Sequence, residues 1–536
     1  MRLYQQIRAS IVRSAVVGAG LVVFVSANPL SAFGQTQPPP VASQRPPIAA
    51  QPPTTTGTPL SMEDAVKMAL ENNLNVQVER LNPQIQVLGI ARAQSAYAPA
   101  LFTNLTQRSS TSPPTDFNTA GADTQVQTSG TFSTTGGLQQ NLRWYGASYQ
   151  LSFTGSRDTT NAINPFFNPQ LGSGLNAVYT QPLLRNFRID ALRQQLMISE
   201  NQATQADIQL QQRVTQTARS ARAAYYQLIG SIAGLDVAQQ SLDVARTSLK
   251  NNQTRVEVGT MAQIDIVQAE AEVASNEEAV IVAQAQIETA QDQLRTLVMN
   301  PSQPEFWTTR FTPSEQPTVA QRVINVEDAI KTALQTRTDI RDFRKNMEIT
   351  DINMRFARDQ KLPAVDVTAR YGTTGIAGIL QPRDGSPQVE RSFFSSVQDV
   401  LANDFRTWSV GVNVSYPLGT SNADAAFAQA RLQKQQDQTT LNNLEMAIAT
   451  EVRQAGRDVN TNLRRIEATR RARELAEQRL TADNKRFSVG LATTFEVLQS
   501  QRDLSRAKQN ELRAVIDYNL SLVNFEAVQI LSLIHI

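Results

Sequence analysis

The sequence predicts a mainly α-helical protein made of two copies of one plan, each a helix, a strand pair and a long helical hairpin. Three observations predict it: anchors that occur twice in one order, heptads held over tens of residues, and alternating stretches that follow prolines. The anchor Leu60-Ser61-Met62-Glu63-Asp64-Ala65-Val66-Lys67-Met68-Ala69-Leu70 returns as Ile324-Asn325-Val326-Glu327-Asp328-Ala329-Ile330-Lys331-Thr332-Ala333-Leu334. Pro99-Ala100-Leu101 returns as Pro363-Ala364-Val365, and Gln181-Pro182-Leu183 as Tyr416-Pro417-Leu418. Arg255-Val256-Glu257-Val258-Gly259-Thr260 returns as Arg486-Phe487-Ser488-Val489-Gly490-Leu491. A period of roughly 230 to 260 residues is far beyond the ~20–50-residue unit of a solenoid. One structural half is duplicated, and function is expected between the copies or along an axis they share.

Residues 1–32 read as a signal peptide. Arg2, Arg8 and Arg13 precede the apolar run Ala15–Val25 and the small pairs Ser26-Ala27 and Ser31-Ala32, the order of a basic region, an apolar region and a cleavage zone. That run is shorter than the ~20 residues of a spanning helix. Residues 33–59 are rich in Pro, Gln and Thr and read as a tether without fixed structure.

The first repeat, 60–300, opens with Ser61-x-x-Asp64, the pattern of a helix cap. Pro99 closes that helical stretch, and Leu101, Thr103, Leu105 and Gln107 then alternate as in a strand. Further strand-like pieces occur at 138–144, 148–154 and 176–181, with Trp144-Tyr145-Gly146-Ala147 as a turn between the first two of them. After Pro182, Val214, Ala221, Leu228, Leu235, Leu242, Leu249 and Val256 share one seven-residue register. A helix of that length reaches on the order of 100 Å. Beyond Gly259 a second helix carries Ile266, Val273, Val280, Ile287 and Leu294, with Ala269, Asn276, Ala283, Ala290 and Leu297 at a companion position that lets helices approach closely. A linker at 301–323 leads to the second repeat, 324–528. Strands are expected around Val365–Tyr371 and Trp408–Val414, and a long helix with Val452, Val459, Ile466, Leu480 and Phe487 in one register, interrupted by Arg473. Residues 529–536 form an apolar tail.

Composition narrows the function. The chain of 536 residues has no cysteine and one histidine, His535, so disulfides, thiolate metal sites, His-based zinc sites and Ser-His-Asp triads within one chain are excluded. No paired-acid motif or phosphate loop is visible, so neither an enzyme nor a cofactor is expected. Removing the three signal arginines from 50 basic residues leaves 47 against 48 acidic ones, a net charge of −1. A nucleic-acid partner would call for a basic face. The alternating strands suit either a soluble sheet or an outer-membrane barrel. In a membrane the few strands of one chain could not close a barrel, so several chains would have to contribute.

Taken together, the duplicated Glu-Asp-Ala-(Val/Ile)-Lys opening, the proline before each first strand, Gln-Pro-Leu or Tyr-Pro-Leu after the last, and Arg-x-x-Val-Gly-(Thr/Leu) between the long helices resemble the TolC-like outer-membrane efflux proteins. The resemblance runs from about Leu60 to Val528. It implies a homotrimer in which each chain gives four strands to a 12-stranded barrel in outer-membrane lipid and its helices to a periplasmic tunnel. It also implies a passive exit duct that docks a periplasmic adaptor, or membrane fusion protein, and works with an inner-membrane pump. The docking residues it points to are Arg255, Val258, Gly259 and Thr260 at one hairpin tip and Arg486, Val489, Gly490 and Leu491 at the other. Asp265, Phe487, Glu496 and Gln499 fall at the pore entrance. Phe487 and Ala492 depart from the family pattern, lacking the hydroxyl and the guanidinium that would latch to Asp265, so a closed-state latch has to be weaker or built from other residues. The alternative is a periplasmic coiled-coil scaffold with a soluble sheet.

Overall fold

A computed structural model describes residues 57–529 apart from 114–125, 163–164, 318, 320, 321, 323, 383–386 and 420. The signal segment, all but the last residues of the tether, and the tail from 530 onward, including His535, lie outside the described residues.

The duplication is visible element by element. Helix α1 (Met62–Asn72) is capped by Ser61, whose side chain accepts from the Asp64 N–H, and the later helix α5 (Val326–Thr336) is capped by Asn325 accepting from Asp328. Both are 11 residues long. Helix α2 (Leu74–Ser95) matches α6 (Thr338–Gln360). The long helices α3 (Ala191–Glu257) and α8 (Asn422–Ser488) have 67 residues each, about 100 Å of helix. Their return partners, α4 (Ile264–Val298) and α9 (Thr494–Gln529), have 35 and 36. A short parallel pair, β1 (Thr58–Leu60) with β6 (Phe311–Pro313), ties the end of the tether to the inter-repeat linker.

Each repeat has its own core, and the heptad residues build it. Ala65, Ala69, Ala221, Tyr225, Leu228, Leu294 and Val298 pack in the first; Ala329, Ala333, Ile448, Val452 and Val459 pack in the second. Helix α9 joins them, giving Ile516 to the first core and Tyr518 to the second. Burying a side chain such as Leu228 or Leu294, both fully enclosed, contributes about 1.5–3 kcal/mol. The alanines at 221, 269, 283 and 290 are buried as well, which is what the close approach of long helices requires. Arg473, which interrupts the apolar register of α8, bonds Glu511 of α9 and Glu477 of its own helix.

The strands form one antiparallel sheet in the order β2 (Ala100–Ser112), β3 (Gln127–Asn141), β4 (Ser148–Thr160), β5 (Phe167–Pro182), β7 (Ala364–Leu380) and β9 (Phe405–Ser415), with the two-residue β8 (Glu390–Arg391) also beside β7. The first repeat thus supplies four long strands where a pair is expected, and the chain supplies six where the resemblance implies four. The sequence marks β3 only at its Leu138 end, within the strand-like piece 138–144; residues 127–137, mostly Gly, Ser and Thr with Phe132 the one large apolar side chain, carry little signal. The turn at Trp144–Ala147 does close the β3–β4 hairpin, with Tyr145 and Gly146 at positive φ and Leu142 N–H donating to the Ala147 carbonyl at 2.7 Å.

The sheet has two chemically different faces. One transverse row runs Leu101, Leu138, Leu151, Ala177, Tyr371 and Trp408 across all six strands. The same face carries Phe153, Leu175, Tyr179, Val367, Val410, Val412 and Val414. The row behind it, on the other face, runs Phe102, Gly137, Ser152, Asn176, Gly372 and Thr407, followed by residues such as Thr135, Thr154, Thr374, Arg370 and Asn413. Helix α7 (Phe393–Ala402) lies against the apolar face at the loop end of β5 and β7. A Cβ at Gly375 would sit 1.9 Å from the Ser396 carbonyl oxygen, so glycine permits that contact. No described helix is long and apolar enough to cross a membrane.

Candidate functional site

The two hairpin tips are the same structure built twice. Gly259 and Gly490 have φ of +77° and +78°, the left-handed region in which glycine carries no Cβ penalty. Thr260 N–H donates to the Arg255 carbonyl at 2.8 Å, and Leu491 N–H to the Arg486 carbonyl at 2.8 Å. These six-residue closures satisfy carbonyls that the helix end would otherwise leave open. Around them the surface is apolar and open: Val258, Val489 and Leu491 are 67%, 69% and 70% exposed. Among the described residues nothing lies within 4 Å of a Cβ built at either glycine.

The tips also touch one another. The guanidinium of Arg255 lies 4.4 Å from the centre of the Phe487 ring, a cation–π contact worth about 0.5–1 kcal/mol at an exposed site. Higher up, Arg502 of α9 bonds Glu272 of α4 through two nitrogens at 2.6 and 2.7 Å. Glu272 is buried, whereas Arg502 is half-exposed. Ser241 and Ser505 share a hydroxyl contact of 2.9 Å between α3 and α9. Phe487 therefore lacks a hydroxyl but finds a cation. Sequence reasoning named both Arg255 and Phe487 without pairing them, and it missed Glu272 and Arg502, which fall outside the apolar registers and look like solvated charges.

The acidic candidates separate. Glu496 is exposed and closes a capping box with Thr493: its carboxylate accepts from the Thr493 N–H at 2.8 Å, while Thr493 Oγ1 accepts from the Glu496 N–H at 3.3 Å. Asp265 lies in the first turn of α4 and is partly exposed. Gln499 donates to Asp503 at 3.0 Å, and Asp503 also meets Arg479 at 3.4 Å. Asp483, buried next to Ser500 and within 3.6 Å of Arg486, anchors the second tip from inside. Among the described residues no group of three or more His, Cys, Asp or Glu side chains could hold a metal.

At the opposite end of the long helices, a polar knot joins helices to strands. Asn186, at φ +65°, donates its N–H to Asp359 at 2.6 Å, and its carbonyl accepts from Arg193 at 2.6 Å. Tyr145 of the β3–β4 turn stacks on Phe187 at 4.6 Å. Burial pushes the Asp359 carboxyl above its ordinary value against the opposing pull of Asn186, Arg193 and Arg188. In the second repeat the Ser421–Asp424 capping box and a 3.0 Å bridge from Lys361 to Asp424 hold the corresponding place. One chain thus carries a two-faced sheet at one end and two matched turns, about 100 Å of helix away, at the other.

The family model of outer membrane efflux proteins matches residues 150–298 and 329–527, which are the β4-to-α4 and α5-to-α9 parts of the two repeats.

The chain belongs to the outer membrane efflux protein family.

Outer membrane protein TolC of Escherichia coli (strain K12) is 24% identical over 313 residues, 57% of this chain and 59% of TolC; that of Vibrio cholerae is 21% identical over 326 residues, 61% of this chain and 70% of the relative. The chain therefore spans somewhat more than half the length of the first of these relatives. In fold it is similar to the outer-membrane channel OprN, with a TM-score of 0.63 at 16% identity over 87% of this chain and 89% of that one. The Campylobacter jejuni CmeC outer membrane channel gives 0.62 at 13% over 87% and 85%. As a member of this family the protein resides in the outer membrane, with the helical part in the periplasm.

Proposed function

We propose that this outer membrane efflux protein is a passive exit duct, assembled as a homotrimer, for a tripartite efflux or type I secretion system. One observation carries the reading: an exposed apolar sheet face at one end of the molecule and paired apolar turns at the far end of its long helical hairpins. The sheet supplies the part in outer-membrane lipid. The turns, Arg255 and Val258–Thr260 with Arg486 and Val489–Leu491, receive the hairpin tips of a periplasmic adaptor. Energy comes from the inner-membrane pump, and the duct itself turns nothing over. A periplasmic scaffold with a soluble sheet would need a layer over the apolar face. Trp408, Val410, Val412 and Val414 are exposed there among the described residues.

Asp265 and Glu496, one from each hairpin, supply negative charge at the entrance of the trimeric tunnel, beside Phe487 and Gln499. Carboxylates brought together by three-fold symmetry raise the local cation concentration. The contacts between the hairpins, Arg255 on Phe487 and Arg502 on Glu272, take the part of the latch that holds the entrance narrow.

The test is export by cells that lack their own copy and carry the chain with Val258→Asp and Val489→Asp. Export falls at least tenfold while the outer-membrane trimer persists and cross-linking to the adaptor is lost. Full export with both aspartates in place would remove the tips from the docking surface.

A further inference from the structure

We propose that all six long strands of each chain enter the membrane, so that three copies close an 18-stranded barrel in which β9 of each copy pairs with β2 of the next. The inference rests on the trimeric outer-membrane reading above and goes beyond it in strand number and in the pairing between copies.

Three observations lead there. The ladder is unbroken from β2 to β9, and β3 and β4 are full members, paired residue for residue over Ser129–Asn141 and Ser148–Thr160. Their side chains obey the same division as the rest. Leu138, Tyr149, Leu151 and Phe153 lie on the face of Val410 and Val412, while Gln139, Gln150, Ser152 and Thr154 lie on the face of Asn413. A hairpin that folded away from the membrane would have no need to continue that alternation.

Among the described residues the two edges are also bare. Every residue of β9 is exposed, and β2 is exposed but for Phe102 and Ser110, which are half-exposed. Open edges in hydrocarbon leave N–H and C=O groups without partners at several kcal/mol each, so these edges need strands, and the strands available are those of another copy.

The duplication supplies the register. Within the chain, the strand that ends in Gln181-Pro182 pairs with the strand that begins at Pro363-Ala364, aligning Pro182 with Asp366 and Val178 with Arg370. The corresponding anchors at the free edges are Tyr416-Pro417 and Pro99-Ala100. Carrying the same alignment across places Pro417 beside Phe102, Val414 beside Leu105, Asn413 beside Thr106 and Val412 beside Gln107. This alignment puts Val414 and Leu105 on the apolar face together and Asn413 and Thr106 on the polar face together. Half of all arbitrary registers would fail that condition, because a slip of one residue sends every side chain to the wrong face. At equal tilt an 18-stranded barrel is about one and a half times as wide as a 12-stranded one, since diameter grows roughly linearly with strand number.

The cysteine-free chain makes the test direct, using full-length mature protein in proteoliposomes. Thr106→Cys with Asn413→Cys forms a reducible covalent dimer and trimer on non-reducing gels, and either single variant forms neither. Leu105→Cys with Asn413→Cys, on opposite faces, cross-links several-fold less. Gln150→Cys reacts with a membrane-impermeant maleimide at least tenfold faster than Leu151→Cys, which faces lipid. Equal labelling at 150 and 151 alongside the cross-link would put β3 and β4 outside the membrane and leave 12 strands, overturning the proposal. Inserted trimers that do not cross-link through 106 and 413 would overturn the pairing. Folded protein that does not insert at all would overturn the outer-membrane reading itself.

Discussion

At the residue scale, Arg255 on Phe487 and Arg502 on Glu272 join the two hairpins. Arg502→Ala strands the buried Glu272 carboxylate. The half-exposed partner places the cost nearer the ~1 kcal/mol of a surface pair than the ~3 kcal/mol of a buried one, and the expected outcome is a higher open probability of single channels. Phe487→Ala acts in the same direction, and its effect vanishes when Arg255 is already alanine, which separates a stacked pair from two independent residues. Glu496→Gln is a clean charge test because glutamine can also fill the third position of a capping box: the helix stays capped, and cation preference falls. Asp359 titrates in the opposite sense to a stabilising carboxylate. Its folded value is raised by burial, so its contribution is fully present below the ordinary carboxylate value and is lost as pH rises through the raised one. A thermal melt series shows wild type gaining stability relative to Asp359→Asn as pH falls from neutral toward about 4. Of these residues, Arg255, Phe487 and Glu496 were legible in the sequence through the repeat. Glu272 and Arg502 were not, because two charges 230 positions apart announce nothing until α4 and α9 lie side by side.

At the scale of elements, the duplication made the helices readable. Leu228, Leu242, Val452 and Val459 occupy one register each and are buried, and the 67-residue lengths of α3 and α8 agree although their sequences have diverged. Strand number was not readable. The strand-like pieces at 138–144 and 148–154 were visible, but whether they join the sheet was not; the hydrogen-bonded place of β3 between β2 and β4 decides it. The tip turns belong to this scale too. Gly259→Ala and Gly490→Ala force a side chain into left-handed backbone at about 1–2 kcal/mol each, with no added clash because nothing lies within 4 Å. Asparagine at the same positions restores most of the loss, so protease sensitivity at the tips rises for alanine and returns toward wild type for asparagine.

At the scale of the whole molecule, the chain separates its tasks by distance. The polar knot of Asn186, Asp359 and Arg193 fixes the sheet to the helices, and the tips lie at the other end of the long hairpins. The two-faced sheet, invisible as a whole until five strand registers are aligned, supplies the reason for a membrane. The most direct test of a trimeric duct is single-channel conductance of detergent-purified mature protein in a planar bilayer, recorded beside Glu496→Gln. A trimeric duct gives discrete, cation-preferring steps that persist in the variant with weakened preference. Folded protein that inserts nowhere and gives no steps would contradict it.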